Sequence, residues 1–266
     1  EGSLRITGSK SETNRLLLLQ ALFKGFKLEN ISNSDDSKVM QEALESTSEV
    51  VDVHHAGTAM RFLTAYFSHL EGHEVVLTGS TRMQERPIKI LVDALRSIGA
   101  YIVYEKVEGF PPIRIKGKKL LGGTISLASD ISSQYISALL LLGPVLEKGL
   151  KLNLVGKITS IPYIKMTLAL LNNIGITTSF KDQLIRVGSV NKIKKINQVV
   201  ESDWSSASYF FSIVALAKKA KISLTSFKKA SLQGDVVLLD IYEQLGVSAR
   251  FEEDILHLKK ESKPLP

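Results

Sequence analysis

Apolar and polar residues change period repeatedly along the chain, marking a string of short strands and helices. Leu4 and Ile6 alternate with polar neighbours as a strand does, Gly8 breaks the run, and Leu16 to Leu22 is apolar with the spacing and length of a helix. Phe26 to Ile31 reads as a strand. Ser34-Asp35-Asp36 opens a helix to about Leu44, with its acids in the first turn, where the helix dipole favours them. Val50 to Val53 is a strand that leads through a Gly-Thr turn into the helix AGTAMRFLTAYF, residues 56 to 67. After a strand at 74 to 78, GSTRMQERP (79 to 87) places Pro87 in the first turn of a helix ending near Ile98. Tyr101 to Tyr104 and Ile113 to Ile115 then make a hairpin across VEGFPP.

The same order recurs. Thr124 to Leu127 is a strand, Ser132-Ser133-Gln134 begins an apolar helix to about Leu146, and Lys151 to Leu154 is the next strand. Pro162 suits the first turn of the following helix, and Thr177 to Phe180 with Leu184 to Val187 makes a second hairpin. A strand near Val199 feeds the helix SDWSSASYFFSIVAL, and a helix starting near Gly234-Asp235 precedes a third hairpin. LRSIGAYI, LNNIGITT and YEQLGVSA each end a helix, turn at Gly99, Gly175 or Gly246, and enter a hairpin strand. That spacing, about 75 residues, is too long for a solenoid. It predicts an α/β protein built from repeated βαβαββ units, with helices around a shared core and sheets outside. The first unit, from residue 11 to about 53, is shortened.

Composition narrows the classes. With 266 residues, 44% hydrophobic and 23% charged, the chain is globular and long enough for one large or two ordinary domains. No run of eighteen apolar residues and no charged-apolar-small leader is present, so the expectation is a cytoplasmic protein with no membrane partner. The absence of Cys removes thiol nucleophiles, disulfides and thiolate metal sites, and the five His residues lack ligand spacing, so neither metal nor cofactor is expected. A net charge of +7 favours anionic partners. The basic runs Lys192 to Lys195 and Lys218 to Lys221 carry no interleaved aromatics and read as solvated turns and helix ends, which argues against nucleic acid.

Anion chemistry gathers instead at helix starts: Lys10-Ser11 with Arg15 in GSKSETNR, Gly57-Thr58 with Arg61, Arg82 and Arg86 before Pro87, Ser132-Ser133-Gln134, and Ser160 before Pro162-Tyr163. Each alone is ordinary capping chemistry. Repetition changes that reading, because equivalent helices pointing the same way bring their N-termini, and the positive ends of their dipoles, to one end of a domain. Ser205 and Ser206 are either the same device in the next lobe or simply a cap, and the cap is the preferred reading.

GSKSETNR, AGTAMRFL, LTGSTRMQERPI, SSQYISALLLLGP, SIPYIKMT, VESDWSSASYF and QGD at 233 to 235 resemble, in order and over nearly the whole chain, the 5-enolpyruvylshikimate-3-phosphate synthases among the enolpyruvyl transferases. The resemblance implies that family's inside-out α/β barrel. Residues 9 to 197 would form one complete lobe of three units, and residues 1 to 8 and 198 to 266 part of a second. It implies transfer of the enolpyruvyl group of phosphoenolpyruvate to the 5-hydroxyl of shikimate 3-phosphate, releasing phosphate, in chorismate and aromatic amino acid biosynthesis, without cofactor or metal. Lys10, Ser11, Arg15, Ser132, Ser133, Gln134, Ser160 and Tyr163 would hold shikimate 3-phosphate. Lys10, Gly57, Arg86 and Gln134 would serve phosphoenolpyruvate, Lys10 positioning both.

The chain departs from the family pattern at His55, Phe62, Gln84 and Ile161, where Asn, Pro, Lys and Lys are usual, so the response to glyphosate, the family's inhibitor, does not follow. The family's acid and base residues lie beyond Pro266, so none is assigned here, and the 266 residues alone are expected to bind weakly and not to turn over. The family is usually monomeric. Here an uncovered helix face at Phe210, Phe211, Ile213, Val214 and Leu216 is expected to promote self-association. Two alternatives stay open: a UDP-sugar enolpyruvyl transferase, disfavoured by Ser11 and the absence of Cys, and a non-catalytic basic RNA-binding module.

Overall fold

Alternating strand and helix periods produce three four-stranded sheets that obey one connection rule. The computed structural model describes residues 1–159 and 161–261. In the first sheet, β3 (Val50–Asp52) pairs in parallel with β4 (Glu74–Thr78) across helix α3 (Gly57–His69). Two short helices, α4 (Thr81–Gln84) and α5 (Lys89–Ser97), then lead to the hairpin of β5 (Tyr101–Tyr104) and β6 (Ile113–Lys116), and β6 pairs antiparallel with β4. The second sheet repeats this: β7 (Gly123–Ala128) lies parallel to β8 (Leu150–Val155) across α6 (Ser133–Leu142). Helix α7 (Ile161–Asn173) follows, and then the hairpin β9 (Thr178–Lys181) and β10 (Leu184–Val187), with β10 antiparallel to β8.

The third sheet has the same pairing but borrows its first strand. β12 (Lys221–Thr225), which follows α8 (Trp204–Leu216), pairs in parallel with β1 (Gly2–Arg5) from the start of the chain. After α9 (Leu238–Glu243), the hairpin β13 (Val247–Glu252) and β14 (Ile255–Lys260) completes the sheet. The strand before α8, β11 (Ile196–Val199), pairs with β2 (Phe26–Glu29) instead. The α/β class and the repeated βαβαββ order are therefore as the sequence predicts.

Contacts divide the chain into two compact units. One holds Asn14–Lys27 and Ser34–Ile196; the other holds Glu1–Thr13, Leu28–Asn33 and the segment from Asn197 onward. The larger unit has α3 and α6 as its centre. Both are apolar nearly all round, and α6 is buried from Tyr135 to Leu142, as a helix with neighbours on every side must be.

Three expectations are corrected. Pro87 lies outside the helix: the GSTRMQERP segment forms the short α4, capped by Ser80, and α5 begins only at Lys89. The apolar helix expected to reach Leu146 ends at Leu142 and tightens into a 3-10 turn at Gly143–Val145, where Pro144 cannot donate a helical hydrogen bond. In the smaller unit, Phe211 and Val214 are not exposed; both are buried with Trp204, Phe227, Leu256 and Leu258. The face of α8 left open carries Tyr209, Ile213 and Leu216, the last 88% exposed.

The smaller unit also buries two carboxylates. Glu201 is fully satisfied, accepting from Trp204 Nε1, the Lys228 backbone N–H, Ser231 Oγ and Gln233 Nε2. Glu12 is 1% exposed, neither of its oxygens has a hydrogen-bond partner, and Lys228 Nζ stands 3.7 Å away. Burial raises its pKa from 4.5 to about 7, against the pull of Lys228, and the Glu201 charge adds to the rise. Below pH 4.5 the folded and unfolded chains both carry the proton. As pH rises from 4.5 to 7 only the unfolded chain ionises, so stability falls through that window and levels off above it. The expected cost above pH 7 is on the order of 3 kcal/mol. Glu12→Gln should therefore unfold at higher urea than the parent at pH 8 and show a much smaller difference at pH 4.5; equal midpoints at pH 8 would contradict this account.

Candidate functional site

Helix starts in the larger unit sort into capped and uncapped. Ser132 caps α6, its Oγ accepting from the Gln134 N–H at 3.3 Å, and Ser34 caps α2 (Asp35–Glu45) in the same way through Ser37. Helix α3 follows Ala56 and has no side-chain cap, so its first N–H groups lack a capping side-chain acceptor. At that end lies Arg86. A Cβ on Gly57 would fall 2.4 Å from Arg86 Nη1 and 2.9 Å from Cζ, so only glycine leaves room for the guanidinium over the helix start. A cation and the positive end of a helix dipole thus meet at one point, which suits an anion.

The other helix starts are tied to it. Gln134 Nε2 donates to Thr58 Oγ1 at 3.3 Å, joining the first turns of α6 and α3. Tyr135 O–H donates to the Pro87 carbonyl, which also accepts from Arg61 Nη2 at 3.0 Å. Arg61 itself is 3% exposed and bonds the Gly57 carbonyl at 3.3 Å, and burial lowers its pKa. It therefore fixes the loop that carries Arg86 and does not present its charge at the surface, contrary to the expectation from its place beside Gly57-Thr58.

Arg15 does similar work from the second turn of α1 (Lys10–Leu22). It is 3% exposed, with Nε donating to Thr167 Oγ1 and Nη2 to Ser137 Oγ, both at 2.8 Å. Its guanidinium lies 5.6 Å from the Phe62 ring centre and 5.7 Å from that of Tyr163. One side chain thereby touches α3, α6 and α7. Tyr163 remains 46% exposed, covering Arg15 on one side and meeting solvent on the other.

Among the sequence-predicted residues, the structure thus places Arg15 with Tyr163, and Gly57 with Arg86, while Gln134 joins the α3 start. Lys10 and Ser11 occupy the first turn of α1, Lys10 exposed and Ser11 half-buried. Ser132 is exposed and Ser133 half-buried at the α6 start. Ser160 lies outside the described residues. Phe62, Tyr135, Ser137 and Thr167 were not anticipated; the available signal was helical spacing, since Ser137 follows Ser133 and Thr167 follows Tyr163 by one turn. At the α8 start the cap is Asp203, which accepts from Ser206 N–H at 2.8 Å, not Ser205 or Ser206.

Fold and donors together define a repeat-built α/β protein whose larger unit brings a cation and two helix starts together. Comparison with known proteins narrows the class. The model of the family EPSP synthase (3-phosphoshikimate 1-carboxyvinyltransferase) matches residues 37–265. A 3-phosphoshikimate 1-carboxyvinyltransferase of Bacteroides fragilis (strain YCH46) is 47% identical over 262 residues, covering 98% of this chain and 63% of that protein. One of Mannheimia haemolytica is 37% identical over 293 residues, covering 98% and 67%. The solved EPSP synthase from Acinetobacter baumannii superposes with a TM-score of 0.80 at 21% identity, over 98% of this chain and 65% of that one. The chain belongs to the EPSP synthase family, and it spans 63% of the length of the Bacteroides fragilis relatives. No helix among the described residues is long and apolar enough to cross a membrane.

Proposed function

We propose that this chain supplies the shikimate 3-phosphate site, and part of the phosphoenolpyruvate site, of an enzyme that transfers the carboxyvinyl group from phosphoenolpyruvate to the 5-hydroxyl of shikimate 3-phosphate. The observation that carries the reading is Arg86 seated on Gly57 at the uncapped start of α3, with Gln134 beside it. Two anions must be brought together against their repulsion. A guanidinium and oriented helix N–H groups gathered at one point lower that cost, and they stabilise charge on a departing phosphate. Ser132, Ser133 and Tyr163 would serve the shikimate 3-phosphate side of the larger unit's site. The names of the relatives support this substrate pair over a UDP-sugar or RNA.

Positioning charge is not the whole reaction, because the addition and elimination steps also move protons. The resemblance assigns no acid or base to these 266 residues. A polypeptide of this sequence is therefore expected to bind shikimate 3-phosphate, weakly, and to release no phosphate from phosphoenolpyruvate. A coupled phosphate assay with both substrates checks this; turnover at the rate of an ordinary enzyme would place the proton-transfer groups inside this chain and overturn the division of labour.

A further inference from the structure

Beside Arg86 is a cleft of about 260 Å³ lined by His55, Arg82, Met83 and Arg86. His55 precedes α3, Arg82 and Met83 lie in α4 and Arg86 follows it, and one serine locks the two segments together. Ser80 Oγ lies 2.8 Å from His55 Nδ1 and accepts the Met83 N–H at 3.3 Å, while the Ser80 N–H bonds the His54 carbonyl at 3.1 Å. His55 is thereby fixed through Nδ1, leaving Nε2 as its remaining polar atom. No acidic side chain lines the cleft, and among the described residues neither the Arg82 nor the Arg86 guanidinium has an ion-pair or hydrogen-bond partner. Behind the floor, Arg61 Nη1 is 3.6 Å from Met83 Sδ, adding a third guanidinium. Like charges gathered without a counter-charge repel, and a bound anion relieves that repulsion.

We infer that this cleft binds a phosphate group, with His55 Nε2 and Arg82 as ligands beside Arg86, and that His55 and Arg82 set the affinity for the phosphorylated co-substrate and for the inorganic phosphate it releases. The inference deepens the proposed function and rests on it for the identity of the co-substrate. Arg82 supplies a second planar donor set, which matches phosphate oxygens better than a point charge does. His55 supplies a donor held in place before the ligand arrives, so little order is lost on binding.

The test is a titration of the 266-residue protein, labelled with nitrogen-15 in histidine, first with inorganic phosphate and then with phosphoenolpyruvate. The His55 imidazole resonances are expected to move with either ligand and to saturate with the dissociation constant found by calorimetry. His55→Asn and Arg82→Gln should each weaken both ligands at least about tenfold, the size of one hydrogen bond to a charged group. His55 resonances that stay still with both ligands overturn the inference without any substitution, so a misfolded variant cannot decide the matter. If Arg86→Ala removes phosphoenolpyruvate binding while His55→Asn and Arg82→Gln leave it within twofold, the inference fails and the proposed function stands. If phosphate moves His55 but phosphoenolpyruvate does not bind, the cleft stands and the proposed function fails.

Discussion

Replacing Gly57 by alanine is expected to weaken phosphoenolpyruvate binding roughly 30- to 100-fold, the loss of one well-placed charged contact. The added methyl would occupy the space of the Arg86 guanidinium, whose Nη1 would lie 2.4 Å from it. Arg86 is exposed, so its long side chain can move away, and the protein should fold with little loss of stability. Gly57 is not among the glycines with left-handed φ, so the methyl brings no backbone strain. The effect should fall on the ligand alone: calorimetry shows the loss, and an unchanged urea midpoint shows that the fold is intact. Binding within threefold of the parent would mean that Arg86 does not hold the anion from this position.

Arg15→Lys should do the opposite, acting on fold and ligand together. The guanidinium bonds Thr167 and Ser137 through two different nitrogens while lying against two rings. A lysine ammonium is a single point donor and cannot make that set. The expected cost is about 2–4 kcal/mol, from one charged hydrogen bond lost, a buried hydroxyl left short of a donor and weakened ring contacts. Urea unfolding measures it, and shikimate 3-phosphate binding should disappear with it. A variant that unfolds at the parent's midpoint would show that Arg15 does not tie α1 to α6 and α7.

Most of the fold could be read from the chain because it repeats. Helix-ending glycines at 99, 175 and 246 and matched hairpins set the order of elements, and all three sheets follow it. What could not be read was decided by contacts distant in sequence. Lys221–Thr225 is too short and too mixed to stand out as a strand, although pairing of the fourth unit with the strand around Leu4 follows from the repeat, and β12 is the strand that makes it. Phe211 and Val214 sit on a helix so apolar that pattern alone does not say which side faces inward; Trp204 and Phe227 decide it. Pro87 reads as a helix start by local propensity, yet its carbonyl is held by Arg61 and Tyr135, which pins the segment open before α5.

The candidate site was legible as residue types and not as geometry. Arg15, Gly57, Arg86 and Gln134 stand out as charge or glycine at helix starts. That Arg61 and Arg15 are buried while Arg86 is exposed depends on which helices pack together. Glu12 is the sharpest case. In sequence it is an ordinary first-turn acid beside Lys10 and Ser11; in the structure it is a buried carboxyl with no hydrogen bond.

The central claim is that these helix starts form a site for shikimate 3-phosphate. Calorimetric titration of shikimate 3-phosphate into the 266-residue protein tests it most directly, with UDP-N-acetylglucosamine and an RNA oligomer as parallel ligands. The account predicts weak one-to-one binding of shikimate 3-phosphate alone, lost in Arg15→Lys. Salt-dependent binding of the RNA, or binding of the UDP-sugar, with no heat from shikimate 3-phosphate at any concentration, would contradict it.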